Sequence, residues 1–192
     1  MMSKEGYHHG DLRQASIDAG LAMLHERRTD DLGLREVARA VGVSPTALYR
    51  HFPDKAAFFA ALAAAGFERL AEAQAAAQHA AGPGSAGFGA SGRAYIDFAL
   101  ANPALFRLMF SHAPHLDVPD AAPPGSAMGL LRSNVEALLG PGHDPAAVTA
   151  MCVHAWALVH GLSVLLLDRQ LPADDALIAA ALDPLATLRP TP

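Results

Sequence analysis

The stretch Gly42-Val43-Ser44-Pro45-Thr46-Ala47-Leu48-Tyr49-Arg50-His51-Phe52 decides how this chain folds. Just before it, Leu34, Val37, Ala38 and Val41 recur at i, i+3, i+4 and i+7, the spacing of one face of a short helix. Gly42 stops that helix, because glycine enters the left-handed conformation of a C-terminal cap without a Cβ penalty. Val43 fills the turn. Ser44 caps the next helix, and Pro45 takes its first position, where a missing N–H costs nothing. Leu48 and Phe52, four apart, point inward. Pro45 and Tyr49, with Thr46 and Arg50 one step round, form the opposite face, with small groups at its tip and phosphate donors at its edge. Two short helices joined in this way make a helix-turn-helix, whose second helix enters the DNA major groove.

Working outward, Pro53 ends the second helix and Asp54 caps another with Lys55 in its first turn. A cation there opposes the helix macrodipole, and a docked phosphate removes the conflict. Upstream, a helix over about 10–28 carries Ile17, Leu21 and Leu24 as a core stripe. The helix from Asp54 runs through Phe58, Phe59, Leu62 and Leu70 to about residue 80. It joins an N-terminal three-helix domain (residues 1–55) to a larger helical domain (residues 56–192). Residues 81–89 are glycine-rich and read as a loop; with no preceding strand and no Lys-Ser/Thr, they are not a phosphate loop. Further helices are expected at about 91–101 and 103–112, separated by Asn102-Pro103. An irregular, proline-rich segment follows over 112–125, then helices at about 126–139, 145–168 and 173–187. The chain is therefore expected to be all-α.

Composition agrees. The 192 residues are 52% hydrophobic and rich in alanine and leucine, with little β-branched alternation. Net charge is −5, which excludes a generally basic nucleic-acid coat. Residues 1–55 hold eight Lys/Arg against eight Asp/Glu, and residues 56–192 hold six against eleven. A neutral module with a local cationic face beside an acidic body suits docking on DNA from one end. The one cysteine, Cys152, permits no internal disulfide, and the N-terminus has no apolar signal core, so a cytoplasmic protein is expected. Val148–Leu167 has the length of a membrane span, but it carries Thr149, His154, His160 and Ser163 and reads as a buried helix instead.

Several pieces in order resemble TetR-type transcriptional regulators: Tyr7-His8-His9-Gly10-Asp11-Leu12-Arg13, Leu34-Arg35-Glu36-Val37-Ala38, Gly42-Val43-Ser44, and Ala47 through Lys55. Asn102 through Phe110 and Trp156-Ala157-Leu158-Val159-His160-Gly161 resemble the effector domain of the subgroup named for its Trp-His-Gly pattern. The resemblance implies an all-helical homodimer that binds a palindromic double-stranded operator and releases it when a small molecule occupies the C-terminal domain. By position, Pro45 and Thr46 would approach base edges, and Tyr49, His51 and Lys55 would hold phosphates. Arg35 would contact a base or phosphate, with Ser44 and Arg50 completing the DNA-facing set. Gly33 departs from the family, where Ser or Thr usually caps this helix and touches a phosphate.

In the larger domain, Phe98, Leu105, Phe106, Met109, Phe110, Trp156 and His160 are candidates to line an apolar effector cavity, with His160 as its polar group. The same spacings also describe ordinary core, and His160 equally suits a buried hydrogen bond. No i, i+4 histidine pair suggests a metal, and no cofactor is expected. Cys152, Trp156 and His160 share a face, yet a helix interior offers no oxyanion cradle, so an enzyme is not expected. Val153, Ala157, Gly161 and Leu165 recur every four residues, and Leu177, Ala181, Leu185 and Leu188 do so nearly. These two stripes from each subunit can form a four-helix dimer interface. The residues alone leave two alternatives open: a DNA-binding regulator without an effector, and a helical small-molecule-binding or enzymatic protein.

Overall fold

The computed structural model describes residues 9–26, 32–112 and 122–183, and among them every regular element is a helix. The order is α1 (His9–Glu26), α2 (Leu34–Ala40), α3 (Pro45–Tyr49), α4 (Lys55–Ala81), α5 (Ser85–Ala101), α6 (Pro103–His112), α7 (Ala127–Leu139), α8 (Pro145–Leu167) and α9 (Asp175–Leu182). By compactness the chain divides into two units. One comprises Met1–Gly66 and Asn102–Pro114, the other Phe67–Ala101 and His115–Pro192. The boundary expected after residue 55 marks the start of α4, and α6 groups with the first unit.

The first unit closes around Ile17, Leu21 and Leu24 of α1, Leu34, Val37 and Ala38 of α2, Leu48 of α3 and Phe58 and Leu62 of α4, all buried. Phe52 stacks edge-on against Phe58 with ring centroids 4.9 Å apart, an aromatic geometry that adds about 0.5–1.5 kcal/mol beyond burial. Two glycines permit the close packing. A Cβ on Gly20 would sit 2.7 Å from the Phe58 ring, and one on Gly66 would sit 2.7 Å from Met109 Cγ and Sδ. Val41 ends α2 as its C-cap and is only half-buried.

The second unit is built around α8. On one side Leu162 and Leu166 pack with Ile96 of α5 and Ile178 of α9. On another, Val148 and Cys152 pack with Val135 of α7, backed by Phe88, Leu131 and Leu139. Side-chain caps start α7, α8 and α9: Ser126 Oγ accepts from Gly129 N, Asp144 from Ala146 N and Asp174 from Leu177 N. Arg93 of α5 bonds Asp97 and reaches Asp175 of α9 at 2.6 Å, and those bonds raise its pKa above the usual arginine value. α8 is long and apolar enough to cross a membrane by length and composition alone, with a mean hydropathy of 1.8.

One sequence expectation fails here. Residues 85–90 are helical, so the loop after α4 is only Gly82-Pro83-Gly84. The reason is tertiary. A Cβ on Gly87 would collide with the Gly82 carbonyl oxygen and lie 3.1 Å from Gln78 Cγ, so this glycine serves close approach of α5 to the end of α4. Elsewhere α9 begins at Asp175 and α8 ends at Leu167, within two residues of expectation, whereas α9 stops at Leu182, five residues short of the expected 187. His8, most of the proline-rich segment (113–121) and the end of the last stripe, Leu185 and Leu188, lie outside the described residues.

Candidate functional site

The helix-turn-helix is closed by local bonds. Gly42, at φ 75°, donates its N–H to the Arg39 carbonyl at 3.2 Å, and Val43 donates to Ala38 at 2.9 Å. Together these make a Schellman cap on α2. Ser44 Oγ accepts from Ala47 N at 3.2 Å and Pro45 opens α3. Leu48 and Phe52, fully buried, pin α3 from behind. That leaves Ser44, Pro45, Thr46, Tyr49 and Arg50 exposed, with His51 half-buried. Gly33 supplies no side-chain cap to α2; its carbonyl takes the N–H groups of Glu36 and Val37.

Beside α3, Gly33, Leu34, Arg35, Tyr49, Pro53, Asp54 and Lys55 line an open depression of about 390 Å³. Three of the residues expected to touch DNA (Arg35, Tyr49 and Lys55) thus converge from three helices. Asp54 turns its carboxylate onto α4, accepting from Ala57 N at 2.7 Å. The Lys55 ammonium lies 4.9 Å over the Phe59 ring and stays exposed. An arginine, a lysine, a phenol hydroxyl and the N-terminus of a 27-residue helix around one depression suit an anion with several acceptor oxygens. Pro45, Thr46, Arg50 and His51 lie on α3 or just after it, outside that lining.

The residues expected at an effector site divide between the units. Phe106 and Met109, buried, and Phe110 lie on α6 in the first unit, with the Phe106 and Phe110 rings 5.0 Å apart. Phe98, Trp156 and His160 lie in the second. There the structure adds a residue not singled out in the sequence: Tyr95, whose hydroxyl lies 3.0 Å from His160 Nδ1. Burial holds the Tyr95 phenol well above its usual pKa, against a smaller opposing effect from its hydrogen bond with Trp156. Burial pushes His160 down. A protonated phenol and a neutral imidazole follow, joined by one hydrogen bond between the phenol oxygen and Nδ1. The only advance signal was the i, i+3 spacing of Tyr95 and Phe98 on α5.

Of the stripes expected at a dimer interface, Val153 and Leu165 remain 48% and 43% exposed, and Ala157 and Leu177 are exposed too. Ala181 is partly buried against the α5–α8–α9 cluster. A Cβ on Gly161 would meet nothing within 4 Å.

A profile described as "Bacterial regulatory proteins, tetR family" matches residues 17–62, and one described as "Tetracyclin repressor-like, C-terminal domain" matches residues 88–187. An uncharacterized HTH-type transcriptional regulator of Haemophilus influenzae is 49% identical over 43 residues, about a fifth of each chain. A solved protein of unknown function from Rhodococcus sp. RHA1 is 30% identical, with 96% of both chains covered and a TM-score of 0.70. The multidrug binding protein EbrR, solved with imidazole, shares the fold at 22% identity and a TM-score of 0.58, covering 94% of this chain and 96% of its own.

Proposed function

This chain belongs to the tetR family of bacterial regulatory proteins, and on that premise we propose that it is a cytoplasmic repressor, binding a palindromic operator as a homodimer and releasing it to a small molecule. The observation that carries the reading is the depression shared by Arg35, Tyr49 and Lys55 beside an exposed α3. Those three residues hold backbone phosphates, and His51 and Arg50 add to the grip. Pro45 and Thr46 then stand at the base edges, with Ser44 at the groove wall. Phosphate contacts set register and orientation, whereas sequence is read at the bases.

The exposed apolar side chains of α8 and α9 support dimerisation. Val153, Ala157, Gly161 and Leu165, with Leu177 and Ala181, form the face on which a second copy packs, and Gly161 lets its helix come close. Two-fold pairing sets two reading helices about 34–36 Å apart, or somewhat more, matching successive turns of B-DNA. The effector binds among Phe98, Trp156 and His160 in the second unit. The resemblance of Trp156, His160 and Gly161, together with Asn102 through Phe110, to the Trp-His-Gly subgroup supports a reading of the chain as one of its members. A ligand that prefers the conformation unfit for DNA shifts the population by its differential affinity and no more.

Titration of the purified protein onto an operator duplex and a scrambled one, with sedimentation of the complex, tests this. The expected result is two protomers per operator and selective binding. Equal affinity for both duplexes, or one protomer per site, overturns the proposal.

A further inference from the structure

Among the described residues, the interior of the second unit holds one buried side-chain polar atom whose hydrogen-bonding capacity is unused. Gln74 of α4 is only 8% exposed. Its Nε2 donates to the Ser91 carbonyl and Oγ on α5, at 3.4 and 3.3 Å, but its buried Oε1 accepts from none of the described residues. Its neighbours on the same seam are already satisfied. Gln78, one turn along α4, exchanges both amide bonds with Asn134 of α7, at 2.5 and 2.9 Å. Leaving such an acceptor unmade forfeits the hydrogen bonds it made to water in the unfolded chain, so a buried orphan needs a reason.

The surroundings indicate what would satisfy it. α4 and α5 run antiparallel across the Gly82–Gly84 turn, Gln78 facing Gly87 and Gln74 facing Ser91. One turn further along α5 from Ser91 comes Tyr95, then Phe98, and Tyr95 leads to His160 and Trp156. Through Ser91, Gln74 thus lies about one helical turn along α5 from the Tyr95, His160 and Trp156 group. Among the described residues of the second unit, the buried side chains that carry a nitrogen or oxygen, Gln74, Ser91, Tyr95, Asn134 and Ser163, are all neutral. A charged ligand entering there would be desolvated without a counter-charge. We infer that Gln74 Oε1 is a specificity-determining contact for the effector, which is a neutral, largely aromatic molecule presenting an N–H or O–H donor to it. This rests on the ligand-responsive reading above.

Indole and benzofuran are nearly the same shape and differ in the N–H, so they probe the contact directly. Calorimetric titration of the full-length protein should show indole binding about fivefold tighter than benzofuran, the worth of one net hydrogen bond. In Gln74→Met, which keeps the length and removes the acceptor, that ratio should fall to about one. If Gln74→Met does not fold, Gln74→Asn, which withdraws the carbonyl by one methylene, should reduce the ratio. Equal affinities in the natural protein, no binding of either compound, or a preference that survives the substitutions overturns the inference. Operator binding measured alongside separates the two readings. Gln74-dependent indole binding that leaves operator affinity unchanged keeps this contact and removes ligand-responsiveness. Operator release by other compounds without any dependence on Gln74 does the reverse.

Discussion

Lys55→Ala separates a DNA contact from a structural role, because its effect on folding is expected to cancel. Lys55 sits at the N-terminus of α4 with its ammonium 4.9 Å over the Phe59 ring. Removing an exposed cation–π pair costs about 0.5–1 kcal/mol. Taking a cation away from a helix N-terminus returns about 0.3–1 kcal/mol. The melting temperature should therefore move little. Operator binding should not be spared. Each phosphate left without its cation lowers the salt slope by about 0.9, so a dimer releasing two phosphates drops by roughly 1.8. Between 50 and 200 mM salt the advantage of the natural protein over the variant should then shrink about tenfold. Fluorescence anisotropy with labelled operator at four or five salt concentrations gives both slopes. Parallel slopes would place Lys55 away from the phosphates, however much the affinity itself fell.

Three further tests address packing, assembly and pH. Gly87→Ala, whose Cβ would strike the Gly82 carbonyl, should destabilise by about 1–3 kcal/mol, while Gly89→Ala, with open space, should stabilise by about 0.5–1 kcal/mol; denaturant melts giving the same sign for both would refute the close-approach account. Gly161→Leu should leave the protomer folded, since nothing lies within 4 Å, yet abolish the dimer in sedimentation velocity; an intact dimer moves the interface off α8. His160 has its folded pKa lowered by burial, so the unfolded chain binds its proton first as pH falls. Stability from this group is complete above about pH 6.5 and declines below it toward the folded pKa. His160→Gln should flatten the part of the pH 5–7.5 melting profile that comes from this residue, and an unchanged profile would show that its protonation is not coupled to folding.

What was legible in the sequence was what is local. Gly42, Ser44 and Pro45 state the turn by backbone conformation and capping, and the structure has the Schellman cap, the Ser44 bond and the Pro45 start where those residues put them. Asp54 capping α4 and the glycine cost at Gly33 were legible for the same reason. What was hidden depends on a second helix. Gly87 looks like loop glycine until the end of α4 lies against it. Gln74 looks like one solvated residue in an alanine-rich run until Ser91 covers it. Tyr95 gains its meaning from His160, 65 residues away. The grouping of α6 with the first unit has no sequence signature either, because Asn102-Pro103 marks a break without saying which core the next helix joins.

Selection of bound sequences from random duplex DNA, at two salt concentrations, tests the central claim most directly. The account predicts an enriched palindrome with half-sites about one helical turn or more apart, and its loss when Tyr49 and Lys55 are both replaced by alanine. No enrichment at low salt, or an enrichment indifferent to those two residues, would contradict it.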